Sequence, residues 1–245
     1  MTERENLFRP IHKGIRLMVY ELGSRMQATN FADLTEGNRF VTRLEHELSD
    51  SLSNCILCML RFHSLHEEKD IFSELRAHDP DPVELVLKEH AEVARRSRGV
   101  VKTCEELLAA GAVPRRIELG DRLNLEVNDL FTYYLGHLNN EESLLVPLMW
   151  QWFTDEQLRG MRAKFYDSLP QPLFETWMRW TLPAMNPEEL VVLYAGLKKD
   201  PGRRPFEEWA RLAHMTLDFD RWLTLRERVG LPQPPSPSAA RATGS

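Results

Sequence analysis

The stretch Phe62-His63-Ser64-Leu65-His66-Glu67-Glu68-Lys69-Asp70-Ile71-Phe72 is echoed downstream by Gly136-His137-Leu138-Asn139-Asn140-Glu141-Glu142-Ser143-Leu144-Leu145-Val146-Pro147. Both read His-x-x-x-Glu-Glu followed by an apolar run. A helix turns about 100° per residue, so side chains four apart share one face. The spacing therefore sets His63 beside Glu67 and His137 beside Glu141. Two such pairs facing each other across a helical interior can hold metal. A single His-x-x-x-Glu is common by chance; the repeat carries the signal.

Outward from these motifs the chain reads as long helices. Residues 7–28 carry Phe8, Ile11, Ile15, Val19 and Leu22 at three- and four-residue spacing, with His12 on the edge of that stripe and Arg16 one turn on. Residues 28–38, with Asp33, Thr35, Glu36 and Gly37, read as a loop. A second helix is predicted over 39–75, where Leu48, Leu52, Ile56, Met59 and Leu60 lie on or near the face of His63. Asp79-Pro80-Asp81-Pro82 ends it and caps a third helix over 83–110, whose buried side holds Leu85, Val86, Val93, Val100, Val101 and His90. Residues 111–120 read as a connection. The fourth helix spans 121–152 through Leu123, Val127, Leu130, Tyr134, His137, Glu141, Leu144 and Leu145, with Pro147 expected to kink or end it. The nearly equal intervals from His12 to His63 and from His90 to His137 support an internal repeat of two helical hairpins.

The expected fold is all-α: an antiparallel four-helix bundle over 1–152 with a C-terminal α-helical extension over 153–231. Asp155-Glu156, Asn186-Pro187-Glu188-Glu189 and Arg204-Pro205-Phe206-Glu207-Glu208 open helices in the extension. Five of the six tryptophans (Trp152, Trp177, Trp180, Trp209, Trp222) fall between 152 and 222, which predicts packed structure there. Residues 232–245, mostly Pro, Ser, Ala and Gly, read as a disordered tail.

Composition bounds the function. Among 245 residues, 42% hydrophobic and 28% charged content suit a globular protein, and a net charge of −6 argues against nucleic acid or an anionic membrane as partner. No apolar run approaches the roughly 20 residues a bilayer span needs, and no signal-peptide core opens the chain, so the expected location is cytoplasmic. Three cysteines make no disulfide framework. Cys55 and Cys58 form a C-x-x-C inside an apolar helical run and read as small buried hydrophobes.

Imidazole and carboxylate suit iron, manganese or zinc rather than copper(I). Six of them in two quasi-equivalent sets fit a dinuclear centre better than a four-ligand structural zinc site. Glu67 and Glu141 would bridge the metals, and His12, His63, His90 and His137 would cap them. An open position beside a second reducible iron binds dioxygen, nitric oxide or peroxide. Around the six, His66 is a candidate fifth histidine, Tyr133 and Tyr134 could hydrogen-bond a bound oxygen species or ligate iron, and Glu68 and Glu142 could orient neighbouring imidazoles. His46, His78 and His214 have no suitable spacing.

The pattern resembles the hemerythrin-like (HHE cation-binding) family over roughly residues 7–152. The two His-x-x-x-Glu-Glu-(apolar) blocks and Val146-Pro147-Leu148 carry the resemblance. It implies a four-helix bundle with two non-haem iron ions, and places the ligands at His12, His63, Glu67, His90, His137 and Glu141; the same donors accept manganese. Two departures matter. Oxygen carriers of the family pair histidines four apart on the third helix, where this chain has Ala94 after His90, and they end on aspartate where this chain has Glu141. The resemblance implies binding of, and reaction with, dioxygen, nitric oxide or peroxide, for sensing, carriage or redox chemistry. A di-iron oxidase, oxygenase or peroxidase acting on a small organic substrate is the alternative, and a metal-free helical interaction protein the second. The sequence leaves the oligomeric state open.

Overall fold

The structure, a computed structural model, describes residues 4–45 and 56–231. His46, Leu48, Leu52, Cys55 and the tail 232–245 lie outside the described residues, as do the side chains of Ile56 and Cys58. The protein is all-α, with ten helices among the described residues. No helix among them is long and apolar enough to cross a membrane.

Helix α1 is Arg9–Ala28. The Asn6 Oδ1 accepts the Phe8 and Arg9 amides at 3.0 and 2.9 Å and so closes its open first turn. Helix α2 is Leu34–Glu45, and it shortens the loop expected over 28–38 to residues 29–33. Asp33 caps it by accepting the Glu36 amide at 2.8 Å, while Glu36 reaches back to accept the Asn30 amide at 3.0 Å. The polar residues read as loop are a reciprocal helix cap.

Helix α3 covers 56–76: an α segment Ile56–Glu67, a π turn Glu68–Phe72 and a last α turn Ser73–Arg76. Helix α4 is Pro80–Ala109. Helix α5 covers 113–152, as Val113–Asn140, a second π turn Glu141–Leu145, and Val146–Trp152. It starts eight residues ahead of the position expected from the sequence. Pro114 stands in its first turn, where the missing amide hydrogen costs nothing, and Gly120 is packed under Phe31 rather than breaking the helix. Pro147 does not end α5 either, because it opens the α segment just after the π turn, where the hydrogen-bond ladder is already shifted.

Five further helices follow: α6 (Asp155–Ser168), α7 (Gln171–Ala184), α8 (Pro187–Lys199), α9 (Phe206–Thr216) and α10 (Phe219–Val229). Capping boxes at Thr154–Gln157 and Asn186–Glu189 start α6 and α8. Helix α4 packs along α5, and α1 lies against α5 on one side and α7 on the other. Gly14 makes that second contact close, for a Cβ there would sit 3.0 Å from the Thr181 Cα and N.

The apolar interior falls into two clusters. The larger holds Ile15, Leu60, Val93 and Tyr134 and extends through Trp177, Tyr194, Trp209 and Trp222 of the C-terminal helices. The smaller holds Phe8, Phe72, Val86 and Leu145. On each of α1, α3, α4 and α5, one turn joins the first cluster and the next but one joins the second. The turn between them carries the histidines and glutamates.

Candidate metal centre

That intervening layer brings together all six residues expected as ligands: His12 from α1, His63 and Glu67 from α3, His90 from α4, His137 and Glu141 from α5. None is more than 5% exposed. Their donor atoms form two groups, His12–His63–Glu67–Glu141 and Glu67–His90–His137–Glu141, with the atoms of each group within 4.8 Å of one another. Both glutamates belong to both groups.

The contacts show how the two carboxylates are shared. Glu67 Oε1 lies 3.0 Å from His63 Nε2 and 3.6 Å from His12 Nε2, whereas its Oε2 lies 3.5 Å from His90 Nε2. Glu141 Oε2 lies 3.4 Å from His12 Nε2, and its Oε1 lies 3.3 Å from His90 Nε2 and 3.2 Å from His137 Nε2. Each carboxylate thus turns one oxygen to the His12–His63 pair and the other to the His90–His137 pair. Despite these distances, the Nε2 atoms of His12, His63 and His137, both oxygens of Glu67 and Oε2 of Glu141 are buried without a hydrogen bond. Buried polar atoms almost always find partners, and six orphans gathered in one cluster could hold a cation. The donor set of imidazole nitrogen and carboxylate oxygen fits a divalent metal of the first transition row.

A ring of outer carboxylates turns the imidazoles inward. His12 Nδ1 lies 2.9 Å from Glu142, His90 Nδ1 2.8 Å from Glu68, and His137 Nδ1 3.0 Å from Glu89. Each carboxylate can accept a hydrogen bond from the Nδ1–H, which in the neutral ring leaves the Nε2 lone pair directed at the centre. Arg16 donates to Glu142 at 2.7 Å and Asn140 to Glu89 at 2.6 Å, so two of these carboxylates are themselves anchored. Phe8 and Phe72 cover the layer from the smaller apolar cluster, with ring centroids 5.2 Å from His12 and 5.4 Å from His90.

Electrostatics without a cation are divided. Burial disfavours the His12 imidazolium, but Glu142, Glu67 and Glu141 outweigh it and hold the pKa up at about 9. For His90 burial is likewise outweighed, by Glu141 and Glu67, and the value is about 10. Burial dominates at His63, pushed down to about 3, and at His137, pushed down to about 4. Burial and the Glu67 charge raise Glu141 to about 8. For Glu67 burial is overcome by His63, His12 and His90, which hold it well below the ordinary range. Burial opposes ionisation of Glu142 too, yet hydrogen bonds from His12 and Arg16 hold it at about 2. Protons on His12 and His90 thus stand where a cation's charge would.

The surrounding candidates separate cleanly. Glu68 and Glu142 orient His90 and His12. His66 belongs to neither donor group; its Nδ1 is 3.3 Å from Asp70, and Phe165 meets its ring edge-on at 4.9 Å. Tyr133 lies under the Arg96 guanidinium, 4.5 Å from its ring centre, while Tyr134 points inward, 5.5 Å from the His137 ring. His78 stacks on Trp152 and His214 meets Trp222. The sequence reading missed Glu89, whose only signal is a carboxylate preceding His90, and Trp177 of α7, 6.1 Å from the His63 ring. No family model, no curated protein and no solved structure matches this chain.

Proposed function

We propose that the chain is a cytoplasmic hemerythrin-like protein, in which α1, α3, α4 and α5 form an antiparallel four-helix bundle backed by an α-helical extension. The bundle holds two non-haem iron ions, with manganese the alternative metal, and reacts with dioxygen, nitric oxide or peroxide. One observation carries this reading: two buried carboxylates each divide their oxygens between two different pairs of imidazoles. A mononuclear site has no use for that division; two neighbouring cations do.

The residues supply holding and shielding. His12 with His63, and His90 with His137, would cap one metal each, and Glu67 and Glu141 would bridge. Each set then contributes four donors, which leaves positions for an exogenous ligand. Bound iron would supply the redox chemistry that those small molecules require.

A pocket of about 90 Å³ opens beside this centre, bounded by His63 and Glu67 and by the apolar side chains of Leu7, Phe8, Ile11 and Phe165. It gives an exogenous ligand a place beside His63 and Glu67.

The test is metal analysis followed by spectroscopy. Protein loaded with ferrous iron and desalted is expected to retain two irons per chain and to gain oxo-to-iron(III) absorption in air. Reduced protein mixed with oxygen or nitric oxide is expected to give an adduct spectrum. Far less than two metals per chain, or no spectral response to any of the three ligands, overturns the proposal.

A further inference from the structure

One buried hydroxyl lies among these donors without a partner. Tyr134 is fully buried, one turn before His137 on the inward face of α5. Its Oη has no hydrogen bond of ordinary length; Ser64, a hydroxyl that acts on it, donates to the Leu60 carbonyl at 3.3 Å. Burial, then the charges of Glu67 and Glu141, hold the phenol protonated in the metal-free chain. A phenylalanine would fill the same apolar volume without an orphaned oxygen, so packing alone does not account for the residue. The adjacent Tyr133 shows the contrast, for it is only half-buried and its ring lies beneath Arg96.

Donor number and charge both leave room for that oxygen. Each set offers two imidazole nitrogens and two carboxylate oxygens, whereas octahedral metal ions take six donors. Two carboxylates balance only half the charge of two dications. The outer carboxylates are engaged by imidazole Nδ1 atoms, and Glu142 is shared with Arg16. Uncompensated charge in a dry interior is costly, and a phenolate reduces it.

We propose that Tyr134 is a further ligand of the centre, an inference that rests on the dinuclear reading above. On iron binding its O–H bond breaks, the proton leaves to solvent, and the phenolate oxygen bonds the metal. No electron transfer is involved. Tyr134 would then join the imidazoles and carboxylates of the four helices as the one phenolic donor.

Wild type, Tyr134→Phe and Tyr133→Phe are to be loaded with ferrous iron and oxidised in air. The readouts are iron per chain, circular dichroism, the visible phenolate-to-iron(III) absorption and resonance Raman of coordinated phenolate. Wild type and Tyr133→Phe should show the band; Tyr134→Phe should lose it while keeping its helicity and at least half its iron. Wild type grown on ring-deuterated tyrosine should shift the Raman lines, which decides the matter even if the variant fails to fold. Two irons per chain without a phenolate signature, or a signature that survives in Tyr134→Phe, overturns this inference alone. Wild type that takes up no iron overturns it together with the dinuclear reading.

Discussion

Three of the four candidate imidazoles lean on an outer carboxylate, and the energetics of the centre turn on those contacts. Glu89 lies 3.0 Å from His137 Nδ1 and is fixed by Asn140. Glu89→Gln is expected to weaken metal binding by about 10–100-fold while the helices persist, as measured by chelator competition and circular dichroism. Removing a bridging group is harsher. Glu67→Ala or Glu141→Ala should lose metal and lower the melting temperature, since buried imidazoles would be left poorly paired. Unchanged iron and melting temperature in both would count against the bridging role. Protonation of the metal-free chain gives a further expectation. His12 and His90, raised to about 9 and about 10, stabilise the fold fully below the ordinary histidine value near 6.5. That contribution is lost as pH climbs through 9 to 10. His63 and His137, lowered to about 3 and about 4, contribute above 6.5 and lose their effect as pH falls through those values. Metal-free protein should therefore melt highest near neutrality and decline toward pH 10, whereas metal, by replacing the protons on His12 and His90, should flatten the alkaline limb. Melting curves with and without chelator measure this. Four of the six inward residues were legible because helical spacing alone sets His63 by Glu67 and His137 by Glu141; His12 and His90 came from the resemblance. Glu89 was not legible, because its partner lies on another helix.

At the level of helices, periodicity found most of the buried faces but wrongly set Leu85 and Leu144, both exposed, on them, and it missed the irregularities. The interval from Leu60 through His63 to Glu67 keeps a regular turn, and the apolar run beyond it continues to look helical. Yet Glu68–Phe72 and Glu141–Leu145 are both π turns, the first directly after the candidate bridging Glu67 and the second beginning at Glu141. A π turn inserts a residue without breaking the helix, so no gap in hydrophobic spacing reveals it; such turns concentrate at functional sites. Helix starts were misread for a related reason. Pro114 and the Asp33–Glu36 pair look like loop residues in isolation and act as first-turn and capping residues in place. Contact between helices supplies a prediction. Gly14→Ala would push a methyl to 3.0 Å from the Thr181 backbone, and should destabilise by about 1–3 kcal/mol. Gly23→Ala on the same helix meets nothing within 4 Å and should be neutral or stabilise by up to about 1 kcal/mol. Thermal melts of the two variants side by side test whether α1 and α7 are in that close register.

In the molecule as a whole, the polar layer is held between two apolar clusters, and nearly half of the larger one comes from the C-terminal helices. Tryptophan content announced that the region beyond 152 would pack, but no pattern within it disclosed against what. The answer lies in Leu173, Phe174, Trp177, Met178 and Leu182 of α7, all buried in the larger cluster. At roughly 1.5–3 kcal/mol each, their loss rivals the about 5–15 kcal/mol that holds a typical domain together. A chain ending at residue 152 is therefore expected to show no cooperative melt and to bind little metal; a truncated chain that melts sharply and binds iron as the full chain does would refute this. The order of the donors along the chain has its own consequence. His12 leaves the ribosome early and Glu141 late, so neither donor group is complete until α5 has been synthesised. On the proposed reading, metal acquisition would be deferred until translation has passed the second motif, and a nascent chain without metal would wait with its protons in the metal's stead.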